Sequence, residues 1–142
     1  MSDLKTRIET ELENIEKSLN ELPQPRSCWR LSRLELSGVA AILHNFYSGV
    51  ENILKVLFKA QNLHIPEGAN WHRDLLNTSI EHALLSSTTA HQLRTYLAFR
   101  HFFVHAYVID LDEERLEDLV QYIDEAFRNL KRDLSKFLKN GE

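Results

Sequence analysis

The 142-residue chain has few of the features that mark secreted or membrane proteins. It contains one cysteine, Cys28, so no internal disulfide can form. Residues 1–17 are charged instead of apolar, and we therefore expect no secretory signal. No apolar run reaches the length that spans a bilayer. These absences predict a cytoplasmic protein in a reducing compartment, without a membrane partner.

The chain also lacks β-strand patterning and an excess of positive charge. No segment alternates apolar and polar residues, and there is no internal repeat or low-complexity tract. The content of 43% hydrophobic and 27% charged residues is ordinary for a globular protein and excludes a disordered tail. The formal net charge of −4 gives no overall attraction to phosphates. Any nucleic-acid binding must therefore come from a local basic patch or a specific cleft.

Apolar residues at spacings of three and four predict four long helices and one short connecting helix. The elements are a first helix over residues 4–22 that stops at Pro23, a second with an apolar face over residues 39–57, a short helix that begins with Trp71 and is capped by Asn70, a fourth that starts near Thr88 or Thr89, and a last helix opened by Asp112 and continuing to Leu138. Together they predict a single all-α domain over residues 1–142, folded as an antiparallel up-and-down helical bundle.

The segment RHFFVHAY, residues 100–107, places an arginine, two histidines and a tyrosine in an otherwise aromatic, apolar helix. Charged side chains that are buried without partners cost several kcal/mol. We therefore expect Arg100 and the histidines to line a cleft or an interface. The alternative is a structural arginine paired with a core carboxylate, together with one satisfied core histidine.

Helix geometry keeps the key side chains of this segment apart. At about 100° per residue, His101 and His105 lie about 40° apart, whereas Arg100 and His105 lie about 140° apart. Arg100 and His105 converge only through a local i→i+5 distortion, a helix end near His105, or a second subunit. The last option predicts a homodimer whose two motif helices line a shared cleft.

The ordered trio Arg100, His105 and Tyr107, in the pattern R-xxxx-H-x-Y on a late helix of a small all-α chain, resembles the HEPN superfamily and, more narrowly, HepT-type toxins. HNFYSGVENILK, residues 44–55, resembles the second-helix segment of that family, and NWHRDLL, residues 70–76, resembles its short connecting helix. The resemblance covers most of the chain from about residue 30. It implies a metal-independent ribonuclease of a toxin–antitoxin pair, whose partner is a minimal nucleotidyltransferase (MNT) antitoxin.

The resemblance also implies roles for individual residues. RNA, either transfer RNA or messenger RNA, would be cleaved by its ribose 2′-hydroxyl, with His105 as general base or acid. Arg100 would bind the scissile phosphate through two hydrogen bonds and stabilise the charge that develops on it. His101 would orient the phosphate or serve the second proton transfer, unless it is only a packing histidine. No metal or other cofactor is required.

Two further residues have regulatory or supporting roles in this interpretation. Tyr107 would be modified with AMP by the antitoxin, which would block the cleft; on sequence alone it could equally be a half-buried aromatic residue. Glu51 could approach the cleft and orient a catalytic group. Its alternative is an i,i+4 pair with Lys55 on the solvent-exposed face.

Other functions stay open at this stage. The chain could be a catalytically silent helical module that binds a nucleotidyltransferase or a nucleotide. It could also be a metal enzyme, with His101 and His105 as ligands and His72 or His91 as a third, although the motif helix has no carboxylate near these histidines.

A basic segment before the second helix offers a separate nucleic-acid hypothesis. In RSCWRLSR, Arg26, Arg30 and Arg33 flank Trp29, a composition suited to base stacking and phosphate contact. The alternative is a solvated helix start with a packed tryptophan.

Overall fold

The computed structural model describes the backbone of residues 2–106 and 112–139, and the side chains of residues 3–101 and 112–138. Within these residues every regular element is helical. The helices are α1 Ser2–Leu19, α2 Arg33–Ala60, α3 Trp71–Glu81, α4 Ser87–Ala106 and α5 Glu113–Lys139. The predicted all-α bundle of four long helices and one short helix is therefore confirmed. None of these helices, over the part of the chain described, combines the length and apolarity needed to cross a bilayer.

Helix α2 is the centre of the bundle, because it packs against each of the other four helices. Its wide apolar face explains this position, since residues from Leu36 to Phe58 are buried on more than one side of the helix. Phe46 marks the junction: its ring lies edge-on to Tyr96 of α4, with centroids 5.2 Å apart, and to Phe127 of α5, at 6.4 Å. A helix buried on several sides can present residues to several neighbours at once.

The start of α2 is fixed by a capping box. The Ser32 hydroxyl accepts a hydrogen bond from the Glu35 backbone N–H at 3.0 Å, and the Glu35 carboxylate accepts one from the Ser32 N–H at 2.8 Å. Residues 26–31 therefore precede the helix. Trp29 is 70% exposed, so the packed tryptophan of the sequence alternative is wrong, and the Arg30 guanidinium lies 4.5 Å from its ring centroid. Arg26, the first arginine of this segment, forms a salt bridge with Asp124 of α5, with Nε 2.9 Å from the carboxylate.

The other helix ends are close to the predicted positions. Helix α1 ends at Leu19, three residues early, although Leu22 is still buried in the following turn. Asp112 caps α5, because its carboxylate accepts from the Glu114 N–H at 3.0 Å. Asn70 occupies the N-cap position of α3 as expected, and its backbone carbonyl accepts the first helical hydrogen bond, from Asp74, but its side chain makes no capping hydrogen bond.

Candidate functional site

A groove of about 850 Å³ lies between α3 and α4. Its polar lining comes from His72, Arg73 and Asn77 of α3 and from Arg94, Arg100 and His101 of α4. Basic side chains thus gather locally in a chain whose net charge is negative. The groove is thus a local basic cleft, of the kind that nucleic-acid binding by a negatively charged chain would require.

A hydrogen-bonded row of three side chains forms one wall of the groove. Glu51, on α2, is 3% exposed, and its Oε2 lies 2.6 Å from Nδ1 of His72. The other ring nitrogen of His72, Nε2, lies 3.5 Å from Nη1 of Arg100. Three helices each contribute one member of this row, and the carboxylate is the most deeply buried of the three.

The contacts of this row exclude the interpretation in which Glu51 pairs with Lys55 on the solvent-exposed face. Lys55 does not pair with it on a solvent-exposed face, because the Lys55 ammonium lies 4.3 Å from the ring centroid of Trp71. Trp71 in turn stacks on His72, with ring centroids 3.6 Å apart. Glu51 is therefore buried against His72, and the surface pair with Lys55 is wrong, while a supporting role for Glu51 in catalysis stays a prediction.

Two polar hydrogens beside the row have no partner among the described residues. The Tyr47 hydroxyl and the Arg100 Nε are both buried and make no hydrogen bond there. Burial and the charge of Glu51 raise the pKa of Tyr47 well above its usual range, against the opposing charges of Arg100 and Arg94. The phenol therefore remains protonated at neutral pH. Buried polar groups are usually paired, so these two donors are available to a ligand or a water molecule.

The far side of the groove is bridged by Arg94 and Asn77. Nη2 of Arg94 donates to Oδ1 of Asn77, which links α4 to α3. Arg73 and Arg94 are otherwise exposed, and both guanidinium groups line the groove with Arg100. Arginine is well suited to binding phosphate, because its planar group can donate two parallel hydrogen bonds.

The predicted site residues are only partly within the described part of the chain. Arg100 is half-buried, His101 is exposed, and both line the groove. The backbone of His105 belongs to α4, but its side chain, like the whole of Tyr107, lies outside the described residues. The convergence of Arg100 with His105 therefore stays a prediction. His72 lies between Arg100 and the Glu51 carboxylate, so the direct pair of Arg100 with a core carboxylate that the alternative predicted does not form.

His72 is the group that sequence reasoning missed as a partner of Arg100. It was considered only as a third metal ligand, whereas its Nδ1 is bonded to Glu51. Over the described side chains, no group of three or more histidine, cysteine, aspartate or glutamate residues could hold a metal ion; the His105 side chain is not among them. The sequence feature that could have pointed to His72 is Glu51, because a carboxylate on an apolar helix face needs a buried partner.

Comparisons with known proteins agree with the fold and identify the family. A family model described as HepT-like protein matches residues 38–140. No curated protein matches the chain. Among solved structures, the cytosolic protein of unknown function YutE from Bacillus subtilis is similar, with a TM-score of 0.77 and 16% identity over 96% of this chain and 93% of that chain. That likeness shows the fold alone. Because the family model spans well over half of the sequence, the chain belongs to the HepT-like proteins of the HEPN superfamily.

Proposed function

We propose that this protein is a metal-independent endoribonuclease, the toxin of a toxin–antitoxin pair whose antitoxin is an MNT-type nucleotidyltransferase. The observation that carries the proposal is Arg100, half-buried in a basic groove and backed by Glu51 and His72 in a HepT-like chain. A guanidinium held in this orientation can donate hydrogen bonds to the oxygens of a phosphodiester. The groove volume is also large enough to admit a nucleotide and its neighbours.

The proposed reaction is transfer of the phosphoryl group within the RNA strand. The ribose 2′-oxygen forms a bond to the adjacent phosphorus, and the bond from phosphorus to the 5′-oxygen of the next nucleotide breaks. The 2′-hydroxyl proton goes to a base, and the leaving 5′-oxygen takes a proton from an acid. The products are a 2′,3′-cyclic phosphate and a free 5′-hydroxyl. His105 serves one of these transfers, and His101 supports the phosphate or the second transfer.

Arg100 stabilises the charge that builds on the non-bridging oxygens as phosphorus becomes five-coordinate. Arg73 and Arg94 supply further positive charge along the same groove, where neighbouring phosphates of the strand would lie. A single-stranded RNA, transfer RNA or messenger RNA, fits this arrangement better than a duplex, because a groove between two helices can take one backbone. Because the net charge of the chain is negative, binding of RNA is confined to this groove.

The deciding experiment is cleavage of total cellular RNA by the purified protein in EDTA. Wild type is compared with Arg100→Ala, Arg100→Lys and His105→Ala. The matched control is Arg132→Ala, which removes an arginine that is exposed on α5, away from the groove. We expect cleavage by wild type and by the control, and a loss of about 10²-fold or more in Arg100→Ala and His105→Ala. Arg100→Lys should recover little, because lysine cannot donate the same pair of hydrogen bonds.

Absence of cleavage by wild type, after mass spectrometry has excluded AMP on Tyr107, would contradict the nuclease and favour a silent binding module. The products give a second check. Fragments that end in 2′,3′-cyclic phosphate support attack by the 2′-hydroxyl, whereas 3′-hydroxyl ends would refute it.

Control by the antitoxin is the second part of the proposal. The Tyr107 hydroxyl oxygen attacks the α-phosphorus of ATP, and pyrophosphate leaves, so that AMP remains on the tyrosine. Tyr107 follows His105 by two residues in the sequence, and the negative charge of AMP on it would repel the RNA backbone. Incubation with the nucleotidyltransferase and ATP should add AMP to wild type but not to Tyr107→Phe, and only wild type should lose cleavage. AMP on another residue would contradict the assignment.

A further inference from the structure

His72 occupies the position of a proton acceptor beside Arg100. We infer that His72, oriented by Glu51, is the general base that takes the proton from the ribose 2′-hydroxyl, so that His105 protonates the leaving 5′-oxygen. This inference rests on the proposed ribonuclease function. It moves the second proton-transfer role from His101, the neighbour of Arg100 in the sequence, to a histidine of another helix.

The contact with Glu51 assigns the tautomer of His72. An ionised carboxylate can only accept hydrogen bonds, so Nδ1 carries the hydrogen at the 2.6 Å contact. In the neutral ring, Nε2 then holds the lone pair, which faces Nη1 of Arg100 at 3.5 Å and can accept a proton once substrate replaces that contact. A buried carboxylate that holds one ring nitrogen and leaves the other for chemistry is the arrangement of histidine bases in hydrolase triads.

The position of Nε2 matches the place where a base is needed. Nη1 of Arg100 donates to Nε2 across 3.5 Å, a long and therefore weak hydrogen bond that a substrate group can replace. A general base takes a proton from an atom about 2.6–3.2 Å away. Because Arg100 and His72 are neighbours, a phosphate bound by Arg100 brings the adjacent 2′-hydroxyl to the part of the groove that Nε2 faces.

The ring is accessible as well as oriented. The His72 side chain is 25% exposed and lines the groove, whereas its partner carboxylate is 4% exposed. RNA can therefore reach the imidazole but not Glu51. This separation gives the two residues different roles, with His72 contacting substrate and Glu51 acting as a positioning residue.

Charged and titratable groups face His72 from each helix that surrounds it. Helix α2 contributes Tyr47 and Glu51, and α4 contributes Arg94, Arg100 and His101. Arg73 follows His72 on α3 itself. Because these groups interact, a pH profile reports the cluster, and the base must be identified by a second kind of measurement.

The test uses two oligoribonucleotides with one cleavable linkage each. In the first the leaving atom is the normal 5′-oxygen, and in the second it is sulfur, which leaves as a thiolate without needing a proton. A variant that lacks the acid recovers on the sulfur substrate, whereas a variant that lacks the base does not. The enzymes are wild type, His72→Ala, His72→Gln, Glu51→Gln and His105→Ala. His82→Ala is the matched control, since His82 is exposed and follows the same helix α3 at its other end.

We expect His72→Ala and His72→Gln to lower kcat on both substrates by about 10²- to 10⁴-fold. Added imidazole should restore part of the activity of His72→Ala, and His105→Ala should be defective on the oxygen substrate alone. Glu51→Gln should lower kcat more than it changes KM and should move the acid limb of the pH profile, while His82→Ala matches wild type. His72→Gln retains a polar side chain facing Glu51, and circular dichroism checks that each variant is folded.

Three results would overturn the inference. Normal activity of both His72 variants would remove the residue from the chemistry. A His72 defect that disappears on the sulfur substrate would make it the acid, and a defect in KM alone without imidazole rescue would make it a positioning residue. Wild type that cuts neither substrate would refute the proposed function itself, which is a different outcome from any of these.

Discussion

Replacing Gly49 with alanine probes the closest approach between α1 and α2. A Cβ atom at Gly49 would lie 2.8 Å from Cγ1 and 3.0 Å from Cδ1 of Ile15. Ile15 is 4% exposed, so its side chain cannot turn into solvent. Overpacking of this kind costs about 1–3 kcal/mol. Alanine also gains up to about 1 kcal/mol over glycine inside a helix, so the net effect is a loss of up to about 2 kcal/mol.

Gly38 provides the matched control on the same helix. It is exposed, and a Cβ atom there would meet nothing within 4 Å. Gly38→Ala should therefore raise the free energy of unfolding by about 0.5–1 kcal/mol through helix propensity alone. Propensity is common to both sites, so the difference of about 1–3 kcal/mol between the two variants isolates the packing cost.

Urea unfolding followed by far-ultraviolet circular dichroism measures both changes. Ile15→Val removes Cδ1, one of the two atoms in conflict, and should relieve part of the loss in Gly49→Ala. The two substitutions should then show a coupling energy of at least about 0.5 kcal/mol. Equal stabilisation by Gly49→Ala and Gly38→Ala would refute the close approach, and with it the packing of α1 on α2 described above.

Three further outcomes follow from the structure. Burial, aided by nearby carboxylates, raises the pKa of the Cys28 thiol from 9.0 to about 11, so the stability it contributes is complete below about pH 9 and is lost as the pH rises to about 11. Urea titrations of wild type and Cys28→Ala should diverge in that window, and parallel curves would contradict the burial. Tyr96→Phe removes the 2.7 Å hydrogen bond to the Leu119 carbonyl, which lies within α5, and should cost about 0.5–1.5 kcal/mol in the same assay; an unchanged midpoint would count against that bond. If two subunits share a cleft, mixing inactive Arg100→Ala and His105→Ala proteins should restore cleavage, and an inactive mixture would argue for separate sites.

Helix-forming stripes were predictable because they depend on local spacing. The apolar positions of α1 identify its buried face, and Leu22 is buried as the stripe requires although the helix has already ended. The start of α2 was readable as well, since Ser32 and Glu35 have the spacing of a capping box. Gly38 lies within α2, where a Cβ atom would meet open space, so the glycine neither delays the start of the helix nor serves close packing.

The site was predictable only in part, because its members meet through the packing of distant segments. Glu51 and Arg100 could be selected from the sequence as charged groups on apolar helix faces. Their connection through His72 depends on how α3 packs between α2 and α4, and no spacing rule along the chain specifies that packing. The salt bridge of Arg26 with Asp124 was unpredictable for the same reason, since it depends on the contact between residue 26 and α5.

The row of Glu51, His72 and Arg100 can form only after three helices have packed together. Its members lie 21 and 28 residues apart along the chain and belong to three successive helices. No fragment that ends before α4 contains the row, so a nascent chain cannot form it until the fourth helix has emerged and docked. Opening of the bundle separates the same three residues. A protease that acts on the opened chain therefore meets a molecule that has already lost its site.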